Sequence, residues 1–275
     1  MDKPTVVFSS CLLGENVRYD GKTINCPLAL NIFKYVNAIP VCPEVSIGLP
    51  VPRDPIIVVK NGNLLKVVNP KTGEDLTYKL ETFSKEFLSS LGDVDGFFLK
   101  AKSPSCGVSG TKTYKNEDGT GFLYRGKGIF GKIVKSYYPY LPVEDENTLK
   151  DKDRYFHFVL RIFLFSKVRR IKTLEDLYSF HKKYRYIFLL YSRAGFERGE
   201  NLLKTKNKQN KIAVYREHIF KTLSRKPSLK RIRKSILLSE KKGKYKSVAD
   251  IYRNIFLKMY PSLNGLIPED ILVNS

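Results

Sequence analysis

The chain is short of the features that would place it in a membrane, outside the cell or on a disulfide scaffold. No stretch approaches the roughly 18 uninterrupted apolar residues of a membrane span. Even Phe156 to Phe165 is broken by His157 and Arg161. Asp2, Lys3 and Pro4 stand directly before a short strand-like run, without the basic, apolar and small-residue order of a signal segment, so a cytoplasmic protein is expected. Only four cysteines occur in 275 residues, Cys11, Cys26, Cys42 and Cys106, and none forms a Cys-x-x-Cys pair. That spacing argues against a zinc ribbon and a thioredoxin-type redox site. In a reducing compartment it is no disulfide framework either.

What the chain does contain argues for two differently built parts. Apolar residues make up 42% of it, with 17 Tyr and 17 Phe, too much to leave in water, so disorder is excluded. Its length suits two domains. The formal net charge is +22. Residues 1–145 hold 18 Lys and Arg against 15 Asp and Glu, a net of +3, which leaves 31 against 12, a net of +19, for residues 146–275. Gly and Pro shift the other way, with 25 of 32 before residue 146, where all the cysteines also lie. Chemistry is therefore expected in the first part and electrostatics in the second.

The first part alternates short apolar runs with helical patterns. Thr5 to Ser9 reads as a strand, Pro27 to Val36 as a helix and Ala38 to Val41 as a second strand. A hairpin turns at Asn61-Gly62 between Ile56 to Lys60 and Leu64 to Val68. Leu80, Phe83, Phe87, Leu88 and Leu91 recur at helical spacing, and Gly96 to Leu99 is the next buried strand. The expected fold is α/β, a Rossmann-like, mainly parallel sheet domain over residues 1–145, followed by an all-helical domain over residues 146–275. In the latter, Thr173 caps a helix with Asp176 three residues on, and Leu174, Leu177, Tyr178, His181, Tyr184, Phe188 and Tyr191 form its apolar stripe. Further helices fit 210–224, 228–242 and 247–259, separated by Pro227 and Gly243 and stopped by Pro261.

In an open parallel sheet the loops past the carboxyl ends of the strands form the ligand crevice. Cys11 follows Val6 to Ser10, Cys42 follows Ile39 to Val41, and Cys106 lies just beyond Phe97 to Leu99, so three thiols distant in sequence converge. They are ordinary buried cysteines, or zinc ligands together with Cys26, or ligands of an iron-sulfur cluster, which accepts cysteines from scattered loops. Three ligands on a four-iron cluster leave one iron open.

The local sequences are Ser9-Ser10-Cys11-Leu12-Leu13-Gly14 with Val17-Arg18-Tyr19-Asp20-Gly21, then Cys42-Pro43-Glu44-Val45 with Gly48-Leu49-Pro50-Val51-Pro52-Arg53, then Lys102-Ser103-Pro104-Ser105-Cys106-Gly107. In order over about residues 4–145, they resemble the thiouracil desulfurase family. The resemblance implies a 4Fe-4S cluster held by Cys11, Cys42 and Cys106, with the sulfur of a thiolated pyrimidine on the fourth iron. It implies non-redox desulfuration of a 2-thiouracil-like base with release of sulfide, the iron serving as a thiophilic Lewis acid. Glu44 would be the acid-base residue and Ser103 would assist at the substrate, with Ser105 as the alternative hydroxyl. Arg18, Asp20 and Arg53 either position the base or tie the loops together, and the plain alternative for Glu44 is a salt bridge to Arg18 or Arg53. Cys26 falls outside the signature and reads as a packed thiol at the start of the Pro27 helix. The helical half resembles a companion domain often fused to this family, notably at Phe180-His181-Lys182-Lys183-Tyr184.

Three competing signals remain. Gly126-Lys127-Gly128-Ile129-Phe130-Gly131 is formally G-x-G-x-x-G, but it comes late in the domain and reads as the opening of a helix through about Ser136, with its N-terminus towards the crevice. His157, His181 and His218 all lie in the helical half, so a Cys-His nucleophilic pair ranks low, and His181 reads as a hydrogen-bonded core residue. Lys226, Lys230 and Lys234 share one helical face beside Arg225, Arg231 and Arg233; such a stripe binds RNA or DNA phosphates or is a solvated face. The alternative to a desulfurase is therefore a nucleic-acid-binding protein whose metal centre is structural or sensory.

Overall fold

The structure is a computed structural model that describes residues 3–185, 187–205, 210–227, 265–268 and 270–271. The helices expected at 228–242 and 247–259, with Lys230, Arg231, Arg233 and Lys234, lie outside the described residues. Among the described residues the strands are β1 (Thr5–Ser9), β2 (Asn37–Val41), β3 (Ile57–Asn61), β4 (Leu64–Val68), β5 (Gly96–Leu99), β6 (Thr111–Tyr114), β7 (Phe122–Gly126) and β8 (Val143–Asp145). The helices are α1 (Pro27–Phe33), α2 (Pro43–Ser46), α3 (Thr77–Ser90), α4 (Ile129–Tyr137), α5 (Lys152–Arg169), α6 (Leu174–Tyr184), α7 (Ile187–Tyr191), α8 (Arg193–Lys204) and α9 (Lys211–Leu223). Thr5–Pro139 with Val143–Leu149 form one compact unit; Met1–Pro4, Tyr140–Pro142 and Lys150–Ser275 form the other.

The first unit is α/β. Its central sheet runs β2-β1-β5-β8 with every pairing parallel, as the alternating pattern predicts. Strands buried on both faces need continuous apolar runs. Val6, Val7 and Phe8 of β1 and Phe97, Phe98 and Leu99 of β5 supply them and are fully buried. Each such side chain contributes about 1.5–3 kcal/mol. A second sheet, β4-β3-β6-β7, joins two antiparallel hairpins through a parallel β3-β6 pairing. The first hairpin is the one legible at Asn61-Gly62. The second is illegible from hydrophobic alternation, because β7 is exposed along most of its length. Leu80 of α3 packs with Ile56, Val58, Val67, Leu76 and Ile129 to form the core beneath this sheet.

The glycine motif opens α4, as expected, but its packing is specific. A Cβ on Gly128 would lie 2.4 Å from the Ser105 carbonyl oxygen, and one on Gly131 would lie 2.4 Å from that of Gly107. Only glycine permits this approach, and the gap is closed by Gly128 N–H to Gly107 O (2.8 Å), Ile129 N–H to Pro104 O (3.0 Å) and Gly131 N–H to Ser105 O (3.2 Å). The start of α4 thus donates to the loop that carries Cys106. These amides are spent on protein carbonyls rather than offered to a ligand in the crevice.

The second unit is helical. Thr173 and Asp176 form the capping box of α6, and Asp151 caps α5 by accepting from Arg154 N–H. Residues 155–166 of α5 are buried all round. His157 survives there by pairing with the Tyr191 hydroxyl at 2.8 Å, and burial holds its imidazole well below the ordinary range. The apolar stripe of α6 keeps Leu177, Phe180, His181 and Tyr184 inside, whereas Tyr178 is exposed. His181 is a satisfied core residue, bonded to the Tyr215 hydroxyl at 2.7 Å and to Glu200 at 3.0 Å. Among the described residues no helix is long and apolar enough to cross a membrane.

Candidate active site

Because β2, β1 and β5 are adjacent and parallel, their carboxyl ends lie side by side. Cys11 lies in a single 3-10 turn, Ser10–Leu13, directly after β1. Cys42 follows β2 and occupies the N-cap position of α2. Cys106 ends the Ser-Pro-Ser-Cys loop beyond β5. All three border one cavity of about 310 Å³, at the small end for a ligand site. Cys26 does not border it. That thiol is buried at the start of α1, in agreement with its reading as a packed residue.

Burial raises the pKa of each of the three thiols; Cys11 is pushed up to about 12. They also oppose one another's ionisation: a thiolate at Cys42 raises Cys11, and thiolates at both raise Cys106. The trio is therefore neutral on its own at pH 7 and becomes a set of thiolates only against a cationic centre. Among the described residues no three His, Cys, Asp or Glu side chains are grouped to hold a single metal ion. Thiols around one common cavity suit a polynuclear centre, in which each sulfur meets a different metal atom.

Glu44, in the first turn of α2, is buried and borders the same cavity. Its Oε2 accepts from Arg53 Nε (3.0 Å) and Nη2 (2.8 Å), and its Oε1 accepts from the Ser105 hydroxyl (2.7 Å). The plain alternative of a salt bridge is thus realised with Arg53, whose guanidinium also donates to the Val17 and Pro50 carbonyls and so ties three loops together. Arg18 pairs instead with Asp20 at 2.7 Å, and that hydrogen-bonded guanidinium holds the Asp20 carboxyl down to about 2. Arg18 borders the cavity and Asp20 does not.

The hydroxyls have a defined direction. Ser103 Oγ accepts from the backbone N–H of Ser105 (3.2 Å) and of Cys106 (3.1 Å). Both of its lone pairs are occupied. Its own proton is then left for Ser105 Oγ at 3.0 Å, and the Ser105 proton goes on to Glu44. Both serines border the cavity; Ser105 is fully buried and Ser103 partly exposed.

Sequence reasoning missed Lys100 and gave no role to Lys102 and Tyr19 of the quoted motifs; all three border the cavity. Lys100 is the first residue after β5, and its position past a strand end was the available signal. Its ammonium contacts Glu146 and the Ala101 carbonyl, and among nearby charges it most strongly favours ionisation of Cys11. None of the three histidines borders the cavity.

A family model described as 2-thiouracil desulfurase matches residues 6–146. The uncharacterised protein YbbK of Bacillus subtilis (strain 168) is 29% identical over 140 residues, covering 48% of this chain and 83% of that protein. A solved structure of a 4Fe-4S-dependent thiouracil desulfidase, TudS, aligns at 28% identity with a TM-score of 0.43, covering 54% of this chain and 95% of that one.

Proposed function

The chain belongs to the 2-thiouracil desulfurase family, and on that premise we propose that it hydrolyses the C–S bond of a thiolated pyrimidine with a 4Fe-4S cluster on Cys11, Cys42 and Cys106. The observation that carries the reading is the meeting of three thiols, two buried and Cys42 partly exposed, and one buried carboxylate at a single cavity. The donor set fits the cluster. It is all sulfur, it comes from three separate strand ends, and burial outweighs the help that Lys100 gives to ionisation of Cys11, so a metal cation is what would turn the three thiols into thiolates. When bound, the cluster supplies a thiophilic Lewis acid for charge that develops on the leaving sulfur.

The protein residues would handle the protons. Thioamide plus water gives amide plus hydrogen sulfide, so no electron donor is needed. Arg53 pins Oε2 of Glu44 with two N–H bonds and leaves Oε1 as the oxygen that exchanges protons. In this proposal Glu44 takes a proton from the attacking water and passes it to a ring nitrogen. Ser105 holds Oε1 in place, while Ser103 orients Ser105 and, through two amides, the Cys106 loop.

Anaerobic purification followed by incubation with 2-thiouracil, without reductant, tests the reading. Expected are iron and labile sulfide in the protein and equal amounts of uracil and sulfide released. A colourless, iron-free protein, or turnover that depends on a reductant, overturns it. A polyanion partner for the helical unit is a separate proposal, supported by the net charge of residues 146–275. RNA binding by the full chain should then fall steeply with salt; salt-insensitive or absent binding rejects it.

A further inference from the structure

Tyr19 is the one aromatic side chain among the described residues that border the thiol cavity. It is 44% exposed, so part of the ring is open to a ligand. Its backbone, by contrast, is held firmly. The Gly21 N–H closes the turn onto the Arg18 carbonyl at 3.1 Å, and the Arg53 N–H donates to the Tyr19 carbonyl at 2.8 Å. Arg53 is also the residue that fixes Glu44, so the ring and the carboxylate are referenced to the same point of the chain.

A second flat group accompanies the ring. The Arg18 guanidinium is clamped by Asp20 through Nε to Oδ1 (2.9 Å) and Nη2 to Oδ2 (2.7 Å) and lies 5.6 Å from the centre of the Tyr19 ring. The other apolar walls, such as Val17, Val41, Pro55 and Ile56, are aliphatic and present no flat face. Exposed aromatic rings and arginine planes are the surfaces on which single, unpaired nucleobases stack.

We propose that Tyr19, backed by Arg18, is the stacking platform for the substrate ring and makes the site selective for a flat, conjugated cyclic thioamide over a saturated one. The inference rests on the desulfurase reading and deepens it. Tyr19 is set apart from an incidental surface ring by its surroundings. Its placement on the cavity wall, on a clamped turn and against a clamped guanidinium, favours the platform.

The test compares the cluster-loaded wild type with Tyr19→Ala and Tyr19→Phe. Two readouts are used: steady-state sulfide release from 2-thiouracil and from 5,6-dihydro-2-thiouracil, and equilibrium binding of the product uracil by calorimetry. Tyr19→Ala should raise both KM for 2-thiouracil and Kd for uracil roughly 5- to 150-fold. Its kcat, its iron content and its KM for the dihydro compound should stay within about threefold of wild type. Tyr19→Phe should behave like wild type, because the ring and not the hydroxyl stacks. Unchanged uracil binding in Tyr19→Ala, or an equal loss with the dihydro compound, overturns the platform. Absence of sulfide from every wild-type incubation overturns the desulfurase reading instead, and uracil binding still decides the role of Tyr19.

Discussion

Ser105→Ala and Ser103→Ala each remove one hydroxyl, two positions apart in the same loop, yet the structure separates their consequences. Ser105→Ala removes the O–H that donates to Glu44 Oε1 at 2.7 Å and leaves both Arg53 bonds to Oε2 in place. A hydrogen bond to a charged group is worth about 1.5–3 kcal/mol. If the orientation of Oε1 matters in the transition state, kcat/KM falls roughly 10- to 150-fold. Ser103→Ala acts elsewhere. It strips an acceptor from two backbone amides, those of Ser105 and Cys106, at about 1 kcal/mol or more each, in the loop that presents a proposed cluster ligand. The assay measures iron and labile sulfide per chain and then sulfide release from 2-thiouracil, on anaerobically reconstituted variants. Ser105→Ala should keep its iron and lose turnover, whereas Ser103→Ala should lose iron. Turnover of Ser105→Ala within about threefold of wild type, or a Ser103→Ala protein with full iron and no activity, refutes the reasoning and makes Ser103 the hydroxyl that acts on substrate.

Three further outcomes follow from the same geometry. Arg53→Met leaves a buried carboxylate without its partner, the two side chains being only 6% and 11% exposed, and should destabilise the first unit by about 3–5 kcal/mol in urea unfolding. Arg53→Lys should not restore it, since one ammonium cannot replace the Nε and Nη2 donors, and a loss under about 1 kcal/mol contradicts the account. Gly131→Ala places a Cβ 2.4 Å from Gly107 O and 2.7 Å from Cys106 O, so α4 must retreat from the cysteine loop; stability should drop by about 1–3 kcal/mol and iron retention with it. Gly92→Ala, with nothing within 4 Å, is the neutral control. In the metal-free chain Cys11 has its thiol pushed up to about 12, so at pH 8 only about one molecule in ten thousand carries the thiolate there. Iodoacetamide should then label Cys42, the least buried of the three, first, and labelling of Cys11 should rise about tenfold per pH unit. Fast labelling of Cys11 at pH 8, mapped by peptide mass, counts against a buried neutral thiol.

Much of this protein is written in short windows of its sequence. The apolar runs of β1 and β5, the Asn61-Gly62 hairpin and the Thr173 capping box each depend on residues within a few positions of one another, and local periodicity and turn chemistry make them legible. The same holds for the three cysteine motifs, because each cysteine lies a few residues past a strand that its own composition announces. The tertiary structure alone decided what those windows meet. Glu44 takes Arg53 rather than Arg18, Lys100 pairs with Glu146 forty-six positions away, and Ser105 reaches Glu44 across 61. Gly128 and Gly131 of the G-x-G-x-x-G run are explained by the carbonyls of a loop some twenty residues earlier. Such choices depend on which strand ends are neighbours in the sheet and on which polar groups remain unpaired after burial. Both are set by packing between distant segments, and no window of a few residues contains them.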